Sequence, residues 1–360
     1  MAKKQETSEI SFQDTLDALN KKYGTGTVLS LGDKPHQDYD IIPTGSIAFD
    51  YVALGIGGFA RGKLYEIIGW EGSGKTTICG HAVAECQKKG YGKVLYIDSE
   101  HAVDIKYFKL LGVDVNDMLI AQPTCGEEGF QIIADLIKTG EIALVIIDSD
   151  NGMIPRKILD SDMGDSNIGR KAKLNSDVYP KLKILASKHH TCIIVNSQYR
   201  EKIGVMFGDP RTTQGGHALK FFSDVRIEIA KTLAKEGTDT YGQIVRVKTR
   251  KNKMAPPFRE SEFLIKFKVG INKFAEVVDI GNEFKVLRKY GKTVTYKDIK
   301  YEFDEFVTLL KDNDEFYDAV KSEIVNVILN TEIEIKDEES ILINKPLVTI
   351  KAEIKDEDTL

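Results

Sequence analysis

The segment from Gly69 to Thr76 reads Gly-Trp-Glu-Gly-Ser-Gly-Lys-Thr and matches the phosphate-loop pattern G-x-x-x-x-G-K-[ST] at every fixed position. The apolar run Leu64–Ile68 before it predicts a buried strand, and the residues from Thr76 onward predict a helix. Glycines there allow backbone N–H groups at a helix N-terminus to converge on phosphate oxygens. The alternative is a chance glycine-rich turn, which the agreement of strand, loop and helix disfavours. This pattern therefore indicates an α/β domain that binds a nucleoside triphosphate.

Each residue type in this loop suits one part of a bound nucleotide. Lys75 places a positive charge at the β- and γ-phosphates, and Thr76 offers a hydroxyl to Mg²⁺. The predicted nucleotide contacts from the loop are Gly69, Trp70, Glu71, Gly72, Ser73, Gly74, Lys75, Thr76 and Thr77.

Composition limits the remaining classes of function. The chain has 360 residues, 42% of them hydrophobic and 29% charged, so two or three globular domains are expected. The N-terminus lacks an apolar signal region, and no apolar run approaches the roughly 20 residues that span a bilayer, so we expect a cytoplasmic protein without membrane contacts. The four cysteines form no C-x-x-C pair and the histidines no H-E-x-x-H, which disfavours a zinc site. The net charge of −5 means that nucleic-acid binding would need local basic loops.

Four regions follow from the pattern of apolar residues. Residues 1–36 form a helical arm whose apolar stripe either docks on a neighbouring subunit or caps its own core. Residues 37–271 alternate strand-like and helical stretches, which predicts an α/β core with a mostly parallel sheet flanked by helices. The predicted strands are Leu64–Ile68, Val94–Ile97, Met118–Ala121, Leu144–Ile147, Cys192–Val195 and Val225–Ile229. Residues 272–330 read as a small α/β lobe. Residues 331–360 read as an acidic tail, either solubilising or regulatory.

Polar residues follow several predicted strands, where ligands bind in open α/β sheets. Asp148 ends the apolar run Leu144–Ile147, so we expect it to serve Mg²⁺; a helix cap or turn acid is the alternative. Glu100 could accept the proton of the attacking water, and its alternative is a surface or capping carboxylate. Two loops, about 157–169 and 199–216, are long and without strand or helix period, which favours function or disorder.

Five segments together resemble the bacterial RecA recombinase family, and the resemblance extends from Phe12 to about Leu329. These segments are Ser46–Asp50 with Leu54–Gly58, Ile97–Ala102, Leu111–Asp114, Lys202–Gly208 with Thr212–Phe221, and Val247–Phe258. The resemblance implies a RecA-type fold and a DNA-dependent ATPase. Such a protein forms a helical filament on single-stranded DNA and exchanges strands with homologous duplex DNA, in recombination, DNA repair and the SOS response.

The resemblance also implies roles for individual residues. ATP and Mg²⁺ would be the cofactors: Glu100 would activate water, Gln198 would sense the γ-phosphate, and Asp104 and Tyr107 would face the adenine. Lys251 and Lys253 would reach the phosphates of the adjoining protomer. The implied DNA contacts are Ile168, Gly169, Lys173, Arg200, Lys202, Ile203, Gly204, Thr213, Gly215 and Gly216.

Several positions depart from the common family pattern, but no residue assigned to phosphate, metal or water is lost. They are Trp70, Gly72, Ile105, Lys173, Pro180, Ser197, Glu201 and Arg211. We interpret the chain as a divergent member, of the kind that a phage or mobile element encodes. Two alternatives remain at this point: a RecA-fold motor or switch such as a helicase or clock-type ATPase, and a filament that protects single strands without exchanging them.

Overall fold

A computed structural model describes residues 11–24, 27–30, 39–163, 165, 167, 169–201, 211–213 and 215–337, the last six of these as backbone only. The chain divides into two compact units, Met1–Tyr39 and Asp40–Leu360. In the described residues, no helix is both long enough and apolar enough to cross a membrane.

The first unit contains helix α1, Phe12–Tyr23, as the sequence predicts. The Ser11 side chain accepts a hydrogen bond from the Gln13 N–H and caps the helix start, and Gly24, with φ of 113°, ends it. Lys21 and Lys22 lie in the last turn, where they complement the helix dipole. Docking of this helix on a neighbour stays a prediction.

The second unit contains every other helix and strand in the described part of the chain. Its helices are α2 (Lys75–Lys89), α3 (Ile105–Leu110), α4 (Gly126–Lys138), α5 (Arg156–Leu159), α6 (Arg170–Lys188), α7 (Ala218–Phe222), α8 (Lys273–Glu283), α9 (Phe303–Asp312) and α10 (Asp314–Asp337). Its strands are β1 (Ile41–Ile42), β2 (Phe59–Ala60), β3 (Leu64–Gly69), β4 (Lys93–Asp98), β5 (Met118–Ala121), β6 (Ile142–Asp148), β7 (Cys192–Glu201), β8 (Arg211–Thr213), β9 (Val225–Glu236), β10 (Asp239–Asn252), β11 (Glu260–Lys266), β12 (Gly270–Ile271), β13 (Arg288–Tyr290), β14 (Thr293–Tyr296) and β15 (Ile299–Glu302). A π-helical turn spans Ala48–Ala53.

The central sheet has the order β12-β11-β10-β9-β3-β7-β6-β4-β5, with β8 paired to β7. Strands β9, β3, β7, β6, β4 and β5 pair in parallel, whereas β9 to β12 pair antiparallel. We call β3 to β7 the parallel half and β9 to β12 the antiparallel half. The α/β expectation is therefore confirmed, with a long antiparallel extension that the sequence pattern did not indicate.

Helices cover both faces of the parallel half, so its strands are apolar on both sides. In β6, Leu144 and Ile146 join one hydrophobic cluster, while Val145 and Ile147 join the other. This two-sided burial explains why the sequence pattern reveals β6 as a continuous apolar run. The small lobe has its own antiparallel sheet, β13-β14-β15, and packs α8 to α10 around Phe306 and Ile324.

Strand and helix ends differ from the predicted ones at three places. β7 continues beyond Val195 to Glu201 and pairs with β8, so residues 211–213 of the predicted loop form a strand. β9 continues beyond Ile229 to Glu236 because β10 pairs along its whole length. α10 continues to Asp337, past the predicted start of the tail at 331; the tail from 338 onward lies outside the described residues.

Candidate active site

A cavity of about 310 Å³ lies at the carboxyl ends of the parallel strands, beside the phosphate loop. It is lined by Glu71, Gly72, Ser73, Gly74, Lys75, Thr76, Thr77, Glu100, Tyr107, Asp148, Gln198, Gln243, Ile265 and Phe267. Most of the residues predicted for nucleotide and metal binding are therefore brought together in one place.

The phosphate loop depends on glycine at the position before α2. Gly74 is the N-cap residue and has φ of 99°, a conformation that residues with a Cβ rarely adopt. A Cβ there would also lie 2.8 Å from Ile265 Cδ1. The loop thus delivers the N-terminus of α2 to the cavity, where its free N–H groups favour an anion.

Lys75 is nearly buried at the base of this loop. Its ammonium donates hydrogen bonds to the carbonyls of Gly69 at 3.0 Å and Trp70 at 2.9 Å. Burial lowers the pKa of Lys75, and the carboxylates of Asp148 and Glu100 oppose that shift. A partly desolvated ammonium interacts strongly with any anion that enters the cavity, because little water screens it.

Thr76 and Asp148 form an all-oxygen pair beside Lys75. The Thr76 hydroxyl donates to Asp148 Oδ2 at 2.7 Å, and the Tyr96 hydroxyl donates to the same oxygen at 2.7 Å. A hydroxyl and a carboxylate are hard oxygen donors, which suit Mg²⁺. Within the described ranges, no group of three or more His, Cys, Asp or Glu could hold a metal ion. Two protein oxygens suit a cation whose other ligands are phosphate oxygens and water.

Glu100 is held by two side chains from neighbouring strand ends. Its Oε1 accepts hydrogen bonds from Ser149 Oγ at 2.5 Å and from Gln198 Nε2 at 2.9 Å. Asp98, the other acid of this strand end, turns away and accepts from the Ala102 N–H at 3.1 Å, which stabilises the turn that carries Glu100. Sequence reasoning missed Ser149, although it directly follows the predicted metal acid.

Of the two residues predicted to face the adenine, Tyr107 and Asp104, only Tyr107 lines the cavity. Its hydroxyl is 2.9 Å from Thr77 Oγ1. Asp104 caps α3 by accepting from the N–H groups of Lys106 and Tyr107, so it positions Tyr107. Three further lining residues, Gln243, Ile265 and Phe267, belong to the antiparallel half or follow it directly. No sequence signal identified them, because only the folded sheet brings them to the phosphate loop.

Lys251 and Lys253 are absent from the described lining of the cavity. Lys251 donates to the carbonyls of Lys220 at 3.1 Å and Phe221 at 2.8 Å, at the end of α7. Lys253 lies 3.4 Å from Asp224. That these two lysines reach the phosphates of an adjoining protomer remains a prediction.

The predicted DNA contacts are only partly described. Gly169, with φ of 78°, is the N-cap residue of α6, and Lys173 is exposed in the first turn of that helix. Arg200 lies opposite Thr212 in the β7–β8 ladder, beside Thr213. Gly215 has no room for a side chain, because a Cβ would lie 2.2 Å from Asn175 Nδ2. Gly216 also has a positive φ of 76°. Ile168, Lys202, Ile203 and Gly204 lie outside the described residues.

Sequence comparisons relate this chain to known proteins over most of its length. The model of the RecA N-terminal domain family matches residues 10–272. Protein RecA of Francisella tularensis subsp. tularensis (strain WY96-3418) is 40% identical over 335 residues, which are 92% of this chain and 93% of that protein. Protein RecA of Bacteroides thetaiotaomicron is 42% identical over 321 residues, 88% of this chain and 97% of that protein. The family match covers the cavity, both predicted DNA loops and the whole central sheet.

Proposed function

This chain belongs to the RecA family and is therefore a recombinase with DNA-dependent ATPase activity, and from that premise we propose how its cavity works. The cavity binds ATP, with the phosphates at the N-terminus of α2 and the adenine on the side of Tyr107 and Phe267. The backbone N–H groups of the loop and the Lys75 ammonium bind the phosphates.

Glu100 is the residue that positions and activates the attacking water. Its carboxylate lies in the cavity together with Lys75 and Asp148, and Ser149 and Gln198 fix its orientation. A base held by two hydrogen bonds keeps the water near the line of attack, so less entropy is lost in the transition state. Lys75 stabilises negative charge on the transferred phosphoryl group.

Mg²⁺ would be held by Thr76 and Asp148, whose oxygens already lie 2.7 Å apart. When bound, it would neutralise charge on the phosphate oxygens. Tyr96 orients Asp148 from the protein interior, since its hydroxyl donates to the same carboxylate oxygen.

Gln198 connects the ATP site to the DNA loop. The hydrogen bond from Gln198 Nε2 to Glu100 Oε1, at 2.9 Å, is the observation that carries this proposal. Gln198 lies on β7 three residues before Glu201, where the described part of the strand ends. A change at the γ-phosphate that moves Gln198 would therefore move the segment that binds DNA, and the reverse follows by linkage.

The active form is a helical filament on single-stranded DNA that pairs with homologous duplex DNA. Lys251 and Lys253 would act on the ATP of an adjoining protomer, and α1 would dock on that neighbour, because a head-to-tail contact generates an open helix. Single-stranded DNA would be bound through phosphate contacts by Lys173, Arg200 and Lys202, with Ile168 and Ile203 between bases.

The test compares wild type with Lys75→Ala and Glu100→Gln in ATP hydrolysis and strand exchange. Lys75→Ala should bind ATP poorly and lose turnover by on the order of 10²-fold or more, the usual cost of removing one transition-state charge partner. Glu100→Gln should keep ATP binding and DNA binding but lose hydrolysis, because the amide still accepts from Ser149 and cannot take a proton.

A control variant, Lys138→Ala, removes an exposed lysine whose ion pair with Asp135 lies on α4, and it should leave all rates unchanged. ATP hydrolysis without any response to single-stranded DNA, or absence of joint molecules, would contradict the proposal. Filaments that bind DNA without exchanging strands would instead support a protective role.

A further inference from the structure

The face of the β7–β8 hairpin opposite to Gln198 carries a second connection to the phosphate loop. Gln198 and Tyr199 are successive residues of one strand, so their side chains point to opposite faces. Gln198 reaches Glu100, whereas the Tyr199 ring packs against Trp70, with 5.7 Å between ring centroids. Because β3 pairs with β7 in parallel register at Gly69 and Gln198, Trp70 and Tyr199 follow as neighbours at the two strand ends.

Tyr199 in turn contacts the other strand of the hairpin. In the ladder, Tyr199 lies opposite Thr213, and Arg211 lies opposite Glu201, so Tyr199 and Arg211 are diagonal neighbours on one face. The Arg211 guanidinium lies 5.1 Å from the centre of the Tyr199 ring, a cation–π distance. Tyr199 and Arg211 thus hold together the two strands that bound residues 202–210.

Glu228 on β9 anchors this cluster to the sheet. Its carboxylate accepts hydrogen bonds from Arg211, from Arg250 and from the Tyr199 hydroxyl. Burial alone would raise the pKa of Glu228, but the hydrogen bonds from Arg250 and Tyr199 keep this pKa below its usual value. Arg250 occupies the β10 bulge between Thr249 and Lys251 and is held independently of the hairpin. Glu228 therefore stays paired when Arg211 is removed, and an Arg211 variant should still fold.

We propose that Trp70, Tyr199 and Arg211 are positioning residues that couple the phosphate loop to the DNA-binding segment on the face opposite to Gln198. This inference rests on the proposed function, since DNA bound at 202–210 is what would move the hairpin. When DNA binds that segment and moves the hairpin, the contacts of Arg211 and Tyr199 transmit the movement to Trp70, whose backbone carbonyl accepts a hydrogen bond from Lys75. DNA binding thus changes the position of Trp70, the second residue of the loop, and Trp70 itself does not contact the reacting atoms.

The test uses the tryptophan itself, because Trp70 is the only one in the chain and its emission reports on the phosphate loop. Adding oligo(dT) to nucleotide-free wild type should change the emission of Trp70. Arg211→Gln and Tyr199→Leu should each abolish that change and should lower the ratio of DNA-stimulated to DNA-independent ATP hydrolysis about fivefold or more. The double variant Arg211→Gln/Tyr199→Leu should lower this ratio no further than the more affected single variant does, because all three residues act in one chain of contacts.

Arg61→Gln is the matched control. Arg61 also lies over a tyrosine ring, that of Tyr91 at 5.3 Å, and also pairs with a carboxylate, that of Asp40. The Arg61→Gln variant should show the same change in Trp70 emission and the same ratio of DNA-stimulated to DNA-independent ATP hydrolysis as wild type. If wild type shows no DNA stimulation at all, the proposed function fails. If wild type is stimulated while Arg211→Gln and Tyr199→Leu keep both the emission change and the ratio, only the coupling inference is overturned.

Discussion

The parallel and the antiparallel halves of the central sheet contribute differently to the same cavity. The parallel half ends in cavity-lining residues that we propose face phosphate and metal, such as Lys75, Glu100 and Asp148. The antiparallel half supplies Gln243 and Ile265, which line the wall, and its polar face carries cross-strand ion pairs such as Arg246–Glu262 and Lys248–Glu260. We infer that chemistry depends on the first half, while the second half supports the cavity through stability and shape.

One buried ion pair joins the two halves, and breaking it should have the largest effect on stability. Arg226 on β9 donates to Glu66 on β3, and Glu66 is fully buried. Arg226→Met leaves this carboxylate buried without a counter-charge, so we expect the free energy of unfolding in urea to fall by about 3–5 kcal/mol. The double variant Glu66→Leu/Arg226→Met should recover most of the loss. A single variant as stable as wild type would mean that the halves are not joined by this pair.

A buried carboxyl beside the antiparallel half should make stability depend on pH. Glu276 Oε1 accepts from Ser46 Oγ at 2.9 Å and from the Ala48 N–H at 2.7 Å, at the π-helical turn that packs on β11 through Phe49 and Phe263. Burial raises the pKa of Glu276 to about 8, and its hydrogen bonds with Ala48 and Ser46 only partly oppose this.

The folded state therefore keeps a proton on Glu276 that the unfolded chain releases near its ordinary pKa. A raised pKa contributes stability at low pH that is lost as pH rises through about 8. Between pH 6 and 8 we expect the unfolding free energy to fall by at most about 1.4 kcal/mol per pH unit from this group. Thermal unfolding at several pH values checks it, and Glu276→Gln should flatten the curve; an equally steep curve for that variant would assign the dependence elsewhere.

Two glycines with positive φ, one beside each half, allow the effects of the two halves on ATP binding to be compared. Gly74→Ala places a Cβ in a left-handed conformation and against Ile265, and we expect a cost of about 1–2 kcal/mol together with weaker ATP binding. Gly237, between β9 and β10, has φ of 60°, and a Cβ added there would meet no atom within 4 Å, so Gly237→Ala should cost similar backbone strain without changing ATP affinity. Calorimetric titration with an ATP analogue checks both; equal affinities would contradict the special role of Gly74.

The smallest effect is expected on the polar face of the antiparallel half. Arg246 pairs with Glu262 across β10 and β11, yet its side chain is 62% exposed. Water screens such a pair, so Arg246→Gln should change the unfolding free energy by less than about 1 kcal/mol. Urea unfolding measures it. A larger loss would show that this face also contributes substantially to stability.

The sequence predicted the parallel half better than the antiparallel one for a physical reason. Buried parallel strands are continuous apolar runs, so the patterns of β3, β4 and β6 indicate strands at or close to their observed ends. β10 alternates exposed and buried residues, which is the pattern of a half-buried strand, but it contains no continuous apolar run, and our prediction rested on such runs. β9 is predicted only over its buried first residues. Pairing with β10 extends β9, and no local pattern indicates this pairing.

The sequence by itself determined the phosphate loop, the acids Glu100 and Asp148 at strand ends, and the family, because these depend on residue types at fixed local spacing. Only the tertiary structure decided the contacts between distant segments: Ser149 and Gln198 on Glu100, Ile265 and Phe267 on the cavity wall, and Tyr199 between Trp70 and Arg211. Strand order and register bring these side chains together, and both are set by packing over the whole sheet rather than by neighbouring residues.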